Sequence, residues 1–190
     1  MAANCEPFVK AYLEELVAIL PKLDARALAK AVDWISEAET LGHTVFTCGN
    51  GGSAAIATQM VVDMVKGASM ASGRRFKALA LTDSAVTITA YANDVSYDSI
   101  FVEPLKVHGE PGDVLIAISG SGNSANVLRA VDYANAAGIK TIGLTTSTGG
   151  RLRAIAQLPL LVPSDHMGRL EDSFFIVTHI ICYSLMRKSD

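Results

Sequence analysis

The chain has 190 residues, half of them hydrophobic and 18% charged, with a formal net charge of −3. That length suits one domain with a full core. The acidic balance gives no electrostatic reason to expect nucleic acid as a partner, and no apolar run approaches the ~20 residues of a membrane span. A chain this apolar is expected to bury surface in a homo-oligomer as well as in its own core.

The first ten residues, MAANCEPFVK, lack a basic stretch followed by an apolar segment, so no secretory signal is expected. Cys5, Cys48 and Cys182 are widely spaced. That is neither a disulfide framework nor a zinc-finger spacing, and it suits reduced thiols in the cytoplasm.

Residues 6 to about 40 read as a helical pair. Phe8, Tyr12, Leu16, Ile19 and Leu20 recur at helical spacing, Pro21 interrupts, and Asp24 is placed to cap a second helix carrying Leu28, Val32 and Ile35. From residue 43 onward short apolar runs alternate with helical patterns. The runs are Val45–Cys48, Ala78–Leu81, Val114–Ile118, Thr141–Leu144 and Leu158–Val162. Helical patterns fall at 53–66, 85–92 with a continuation at 98–107, 124–137, 149–156 and 169–187. Apolar strands separated by helices predict a doubly wound five-stranded parallel sheet, covered on both faces, as one α/β domain over 1–190. In such sheets ligands bind beyond the carboxyl ends of the strands.

Two loops at predicted strand ends suit an anion. The first is Gly49-Asn50-Gly51-Gly52-Ser53. Its glycines allow close backbone approach, and Ser53 can cap the next helix or bond a ligand oxygen. The spacing is neither G-x-G-x-x-G nor a P-loop, so no nucleotide cofactor is expected. The second is Ser119-Gly120-Ser121-Gly122-Asn123-Ser124, with three hydroxyls ahead of a helix. Uncharged donors of that kind suit a phosphate monoester that must bind and leave.

These two loops, with Asn93-Asp94, Gly149-Gly150 and Val162-Pro163-Ser164, resemble the sugar isomerase (SIS) domain along nearly the whole chain, most of all its phosphoheptose isomerases. The resemblance implies an aldose–ketose isomerase that converts sedoheptulose 7-phosphate to an aldoheptose 7-phosphate through an enediol. An isomerase for another phosphosugar and a non-catalytic sugar-phosphate-binding module are the alternatives. It implies a cytoplasmic tetramer. It places phosphate on Ser119, Gly120, Ser121 and Ser124, and the sugar against Asn50, Gly51, Gly52, Ser53, Asn93, Asp94 and Glu171.

The family's reacting groups are a His and a Glu four residues apart on the first helix of the α/β unit, and a Gln and a His eight apart on the last. Here those positions hold Gln59, Asp63, Glu171 and His179. The implied catalytic pair is Asp63 and His179, a carboxylate and an imidazole suited to move protons. Asp63 is one C–C bond shorter than the family's Glu, and positioning errors of ~1 Å can cost ~100-fold. Lys66 could instead simply neutralise Asp63, and His179 could be a core histidine. Some members hold zinc on the quartet. Asp63, Glu171 and His179 would remain as a three-ligand zinc set with an open position; the other reading leaves Glu171 as a metal-free base. His166 could face the site, and Arg74 and Arg75 are either a solvated pair or a phosphate contact; His43 and His108 fall at turns or element ends.

Overall fold

The computed structural model describes residues 4–187. Helices α1 (Glu6–Ile19) and α2 (Ala25–Thr40), joined by a 3-10 turn at Leu20–Lys22, precede the sheet. Asp24 caps α2 as expected, accepting from Arg26 N at 2.9 Å and Ala27 N at 3.1 Å. The inward stripe of α2, with Leu28, Ala31 and Ile35, is buried. On α1 the apolar pattern has a different outcome. Only Ile19 of the expected set is buried, and Phe8 is 64% exposed.

The sheet contains β1 (Thr44–Gly49), β2 (Lys77–Ala80), β3 (Val114–Ile118), β4 (Lys140–Thr146) and β5 (Leu158–Val162). All four pairings are parallel and the spatial order is β2-β1-β3-β4-β5. The chain first steps outward from β1 to β2, then crosses back over β1 to β3. The order therefore reverses between β1 and β3, which creates the crevice where doubly wound sheets take ligands.

Strand side chains alternate between two cores. Val114, Ile116 and Ile118 of β3 join the core under α2, α3 and α9, whereas Leu115 and Ala117 join the opposite one. The connecting helices are α3 (Gly52–Val62), α4 (Ser69–Ser72), α5 (Ala85–Asp94), α6 (Val102–His108), α7 (Ala125–Ala136), α8 (Gly150–Ile155) and α9 (Met167–Leu185). β2 is displaced by one residue from its predicted place, and the edge position leaves Lys77 and Leu79 exposed.

The helix predicted at 53–66 is not a plain α-helix. It passes into a π-helical turn at Asp63–Ala68 and resumes as α4, ending at Gly73 with φ +77°. Val61, Val62 and Val65 are stiff at χ1, and Gly67 is a weak helix former, so the α-helical ladder is at its weakest here. Ser69 Oγ donates to the carbonyl of Met64, five residues back, at 3.1 Å and accepts from Phe76 N at 3.1 Å, which holds the widened turn. Two thiols lie deep in the fold. Burial pushes Cys48 up to about 12, and burial followed by the Asp63 charge pushes Cys182 to about 12 as well, so both stay protonated.

Candidate active site

β1 ends on Gly49, and the chain turns through Asn50 and Gly51 into α3. Gly51 takes φ +55°. A Cβ on Gly49 would stand 2.8 Å from that of Ser53, so the turn closes only with glycine there. No side chain caps α3, which leaves its first N–H groups pointing toward the crevice with the positive end of the helix dipole.

β3 ends one strand over, at Ile118. Ser119 Oγ accepts from Gly122 N at 3.1 Å and lies 3.2 Å from Ser124 Oγ, while Ser121 Oγ accepts from Asn123 N at 3.2 Å. Ser124 precedes α7 without making a side-chain cap bond, so that helix terminus is also uncapped. Gly122 has φ +65°, and a Cβ there would overlap the carbonyl of Gly149. The glycine pair Gly149-Gly150 thus seats the serine loop from below.

Both loops open on one cavity of ≈ 370 Å³ lined by Asn50, Gly51, Gly52, Ser53, Ser119, Gly120, Ser121, Ser124 and Glu171, with Ile118 and Met167. Among the described residues no lysine or arginine lines it. An anion bound there meets backbone N–H groups, hydroxyls and two helix N-termini. The Glu171 carboxylate packs directly over Gly52, where any side chain would overlap it. Among the described residues it has no hydrogen-bond or ion-pair partner.

Asn93 and Asp94 are not in that cavity. They form the last turn of α5, exposed, with Asn93 Nδ2 donating to Asp94 Oδ1 at 2.8 Å. Asp94 instead lines a separate hollow of ≈ 480 Å³ beside Val86, Tyr91 and Val95.

Asp63 and His179 come together. His179 Nε2 lies 3.5 Å from Asp63 Oδ2, with side-chain exposures of 46% and 17%. Gln59 Nε2 donates to the other oxygen, Oδ1, at 3.2 Å. Asp63 Oδ2 is buried and accepts no hydrogen bond; its contact with His179 is an ion-pair distance without hydrogen-bond geometry. That leaves a lone pair free to take a proton. Lys66 is exposed and makes no ion pair with Asp63, so simple neutralisation by that lysine is not what the fold builds. His179 packs edge-on to Tyr183, 6.2 Å between rings, at the surface rather than in the core.

Among the described residues the three-ligand zinc set does not converge. The Glu171 carboxylate faces Gly52, whereas Asp63 meets His179. Gln59 presents an amide N–H to Asp63 where an imidazole nitrogen would be needed. Among the described residues no three His, Cys, Asp or Glu side chains converge to hold a metal. Asp63 lines a different hollow of ≈ 440 Å³, with Lys66, Met70 and Tyr183.

The remaining candidates are structural. His166 caps α9, its Nδ1 accepting from Arg169 N at 3.3 Å, and packs against Tyr12. Arg74 is engaged by Glu39, with Nε to Oε2 at 2.6 Å, and by the Ser36 carbonyl. His43 Nδ1 stands 3.6 Å from the buried Asp113. Two residues that carry no motif do shape the site. Asn126, 2% exposed, exchanges two hydrogen bonds with Asn50, and the Tyr97 hydroxyl donates to Asn50 at 3.0 Å. Asn126 could have been suspected, since a polar side chain in the buried first turn of a helix needs a partner; nothing local marks Tyr97.

Among known proteins, the family model for the SIS domain matches residues 11–146. A phosphoheptose isomerase of Rhodospirillum rubrum is 38% identical over 158 residues, 83% of this chain and 84% of that one. Another, from Citrifermentans bemidjiense, is 37% identical over 96% of this chain and 94% of its own length. The structure of a phosphoheptose isomerase from Francisella tularensis superposes with a TM-score of 0.90 at 29% identity, covering 98% of this chain and 100% of that one. Among the described residues no helix is long and apolar enough to cross a membrane. With the two anion loops at the switch point of the sheet, these likenesses make the chain a member of the SIS-domain family, on its phosphoheptose isomerase branch.

Proposed function

We propose that this protein interconverts sedoheptulose 7-phosphate and an aldoheptose 7-phosphate. The observation that carries the reading is the convergence of the glycine turn, the serine loop and Glu171 on one cavity. Phosphate rests on Ser119, Gly120, Ser121 and Ser124. Glu171 and the backbone of Gly51 and Gly52 take the sugar hydroxyls. The carbon chain then runs along the seam between α3 and α9 toward Asp63 and His179. The two turns of α9 that separate Glu171 from His179, about 12 Å, favour a long, extended phosphosugar over a short one.

At the far end Asp63 Oδ2 removes a proton from C1 of the ketose. The released pair forms the C1=C2 bond, and the carbonyl oxygen on C2 takes a proton from the His179 imidazolium. The resulting enediol gives the O1 proton back to His179 as C1=O forms, while Asp63 returns its proton to C2. The enzyme ends as it began. Gln59 holds Asp63 Oδ1, so Oδ2 is the oxygen left to do the transfer.

The protein is expected to act in the cytoplasm as a homo-oligomer, the tetramer that the resemblance implies. The decisive assay incubates purified protein with sedoheptulose 7-phosphate in deuterium oxide and follows label at C2 by NMR. Conversion is expected, with kcat lowered ~10²- to 10⁴-fold in Asp63→Asn and His179→Ala, the usual worth of positioned acid–base groups. No aldose from this substrate with wild-type protein, or full activity in both variants, sinks the reading.

A further inference from the structure

We infer that Asn126 is a positioning residue that locks Asn50 and makes it a donor-only contact in the cavity. The inference rests on the cavity being the sugar-phosphate site. It starts from the backbone. Val127 N donates at 2.9 Å to one atom of the Asn126 amide. A backbone N–H can only donate, so that atom is Oδ1, and the orientation of the whole amide follows. The same Oδ1 accepts from Asn50 Nδ2 at 2.9 Å, and Asn126 Nδ2 donates to Asn50 Oδ1 at 2.9 Å. The amide of Asn50 is thereby fixed in turn. With its nitrogen facing Asn126 Oδ1, its oxygen also takes the Tyr97 hydroxyl at 3.0 Å.

An amide side chain has two acceptor lone pairs and two N–H donors. Both lone pairs on Asn50 Oδ1 are occupied and one N–H is committed to Asn126. One N–H remains. Asn50 lines the cavity, and that single hydrogen is all its side chain can offer a ligand. It can donate to a phosphate or carbonyl oxygen; it cannot accept from a sugar hydroxyl. The pairing also ties the turn after β1 to the first turn of α7, the helix that follows the serine loop, so the two anion loops move as one unit. Asn126 is 2% exposed and is not among the residues that line the cavity; it acts through Asn50.

A double-mutant cycle tests this. Wild type, Asn126→Ala, Asn50→Ala and the double variant are titrated with sedoheptulose 7-phosphate and with inorganic phosphate by calorimetry, which needs no turnover. Circular dichroism confirms that each is folded. One positional hydrogen bond predicts an affinity loss of about ten-fold in Asn126→Ala. If Asn126 acts through Asn50, the double variant binds no more weakly than Asn50→Ala alone. Losses that multiply, or unaltered affinity in Asn126→Ala, overturn the inference. Should Asn126→Ala fail to fold, the cycle is run with Tyr97→Phe, an exposed position; a loss on Tyr97→Phe that vanishes in the Asn50→Ala background supports the lock, and any other result overturns it. Wild type that binds the sugar phosphate without isomerising it would remove the proposed reaction and leave this inference standing.

Discussion

At the scale of single residues, the chain sets Gln59, Asp63 and Glu171 where the resemblance implies a His, a Glu and a Gln. Each change has a structural counterpart. Gln59 cannot serve as a nitrogen ligand while its amide donates to Asp63, and it leaves Asp63 with one oxygen engaged and the other buried without a hydrogen bond. Asp63 is a shorter acid than the family's Glu, and it stands where the helix widens into a π-turn. Such turns commonly mark functional positions, because they re-aim side chains out of the regular ladder. The metal consequence can be measured. Dialysis against a strong chelator is expected to leave kcat within about two-fold of the starting value, because the remaining ligand candidates do not converge among the described residues and a metal site needs its full ligand set in place. Loss of activity on chelation, restored by zinc, would show that ligands outside this chain's own three complete a metal site.

The elements explain how far the sequence could be read. The glycine turn and the serine loop were legible because each is a contiguous motif directly after an apolar strand, and strand ends on the same side of a parallel sheet must meet. The pairing of Asp63 with His179 was legible only through the resemblance, since 116 residues separate them. Asn126 and Tyr97 meet Asn50 across 76 and 47 residues, and contacts of that span leave no periodic trace. The resemblance puts Asn93 and Asp94 at the sugar; α5 runs on through both and holds them in its exposed last turn, outside the lining of the loop cavity. His166 shows the same limit. Its position ahead of α9 suggested a site residue, yet its ring nitrogen is occupied as a helix cap. Since α9 carries both Glu171 and His179, loss of that cap loosens the turn that aims Glu171. His166→Ala should cost ~1 kcal/mol, a fall in Tm of about 2–4 °C for a domain of this size, and His166→Asp, which keeps an acceptor, should restore it. Calorimetric melts of the three proteins decide; an unchanged Tm in His166→Ala means the 3.3 Å contact contributes nothing.

The whole molecule leaves apolar surface that its own fold does not use. On α1, Val9, Leu13 and Val17 follow one another at four-residue intervals and are 50%, 55% and 64% exposed, with Phe8 beside them at 64%. Residues at that spacing share one helical face. The opposite face of α1 is anchored to α9, where the Tyr12 hydroxyl donates to Asp172 Oδ2 and Arg169 pairs with Glu15. The stripe is therefore held outward and rigid. Periodicity revealed that α1 has an apolar face, but it could not reveal what covers it, and the single chain covers little. Burying a Val, Leu or Phe side chain contributes about 1.5–3 kcal/mol. A two-fold contact counts each residue twice, so four such residues per chain, each already partly covered, contribute about 7–14 kcal/mol, the same order as an association cost of ~4–15 kcal/mol. Light scattering is thus expected to give a multiple of the 20.0 kDa chain mass at micromolar concentration. Leu13→Asp combined with Val17→Asp should shift that mass downward. Because both positions are already exposed in the isolated chain, the paired change should alter the fold itself by no more than about 0.5 kcal/mol per site, so a native circular dichroism spectrum should accompany the smaller mass. A wild-type mass of 20.0 kDa at all concentrations, or an unaltered assembly in the paired variant, would exclude α1 as the assembling surface.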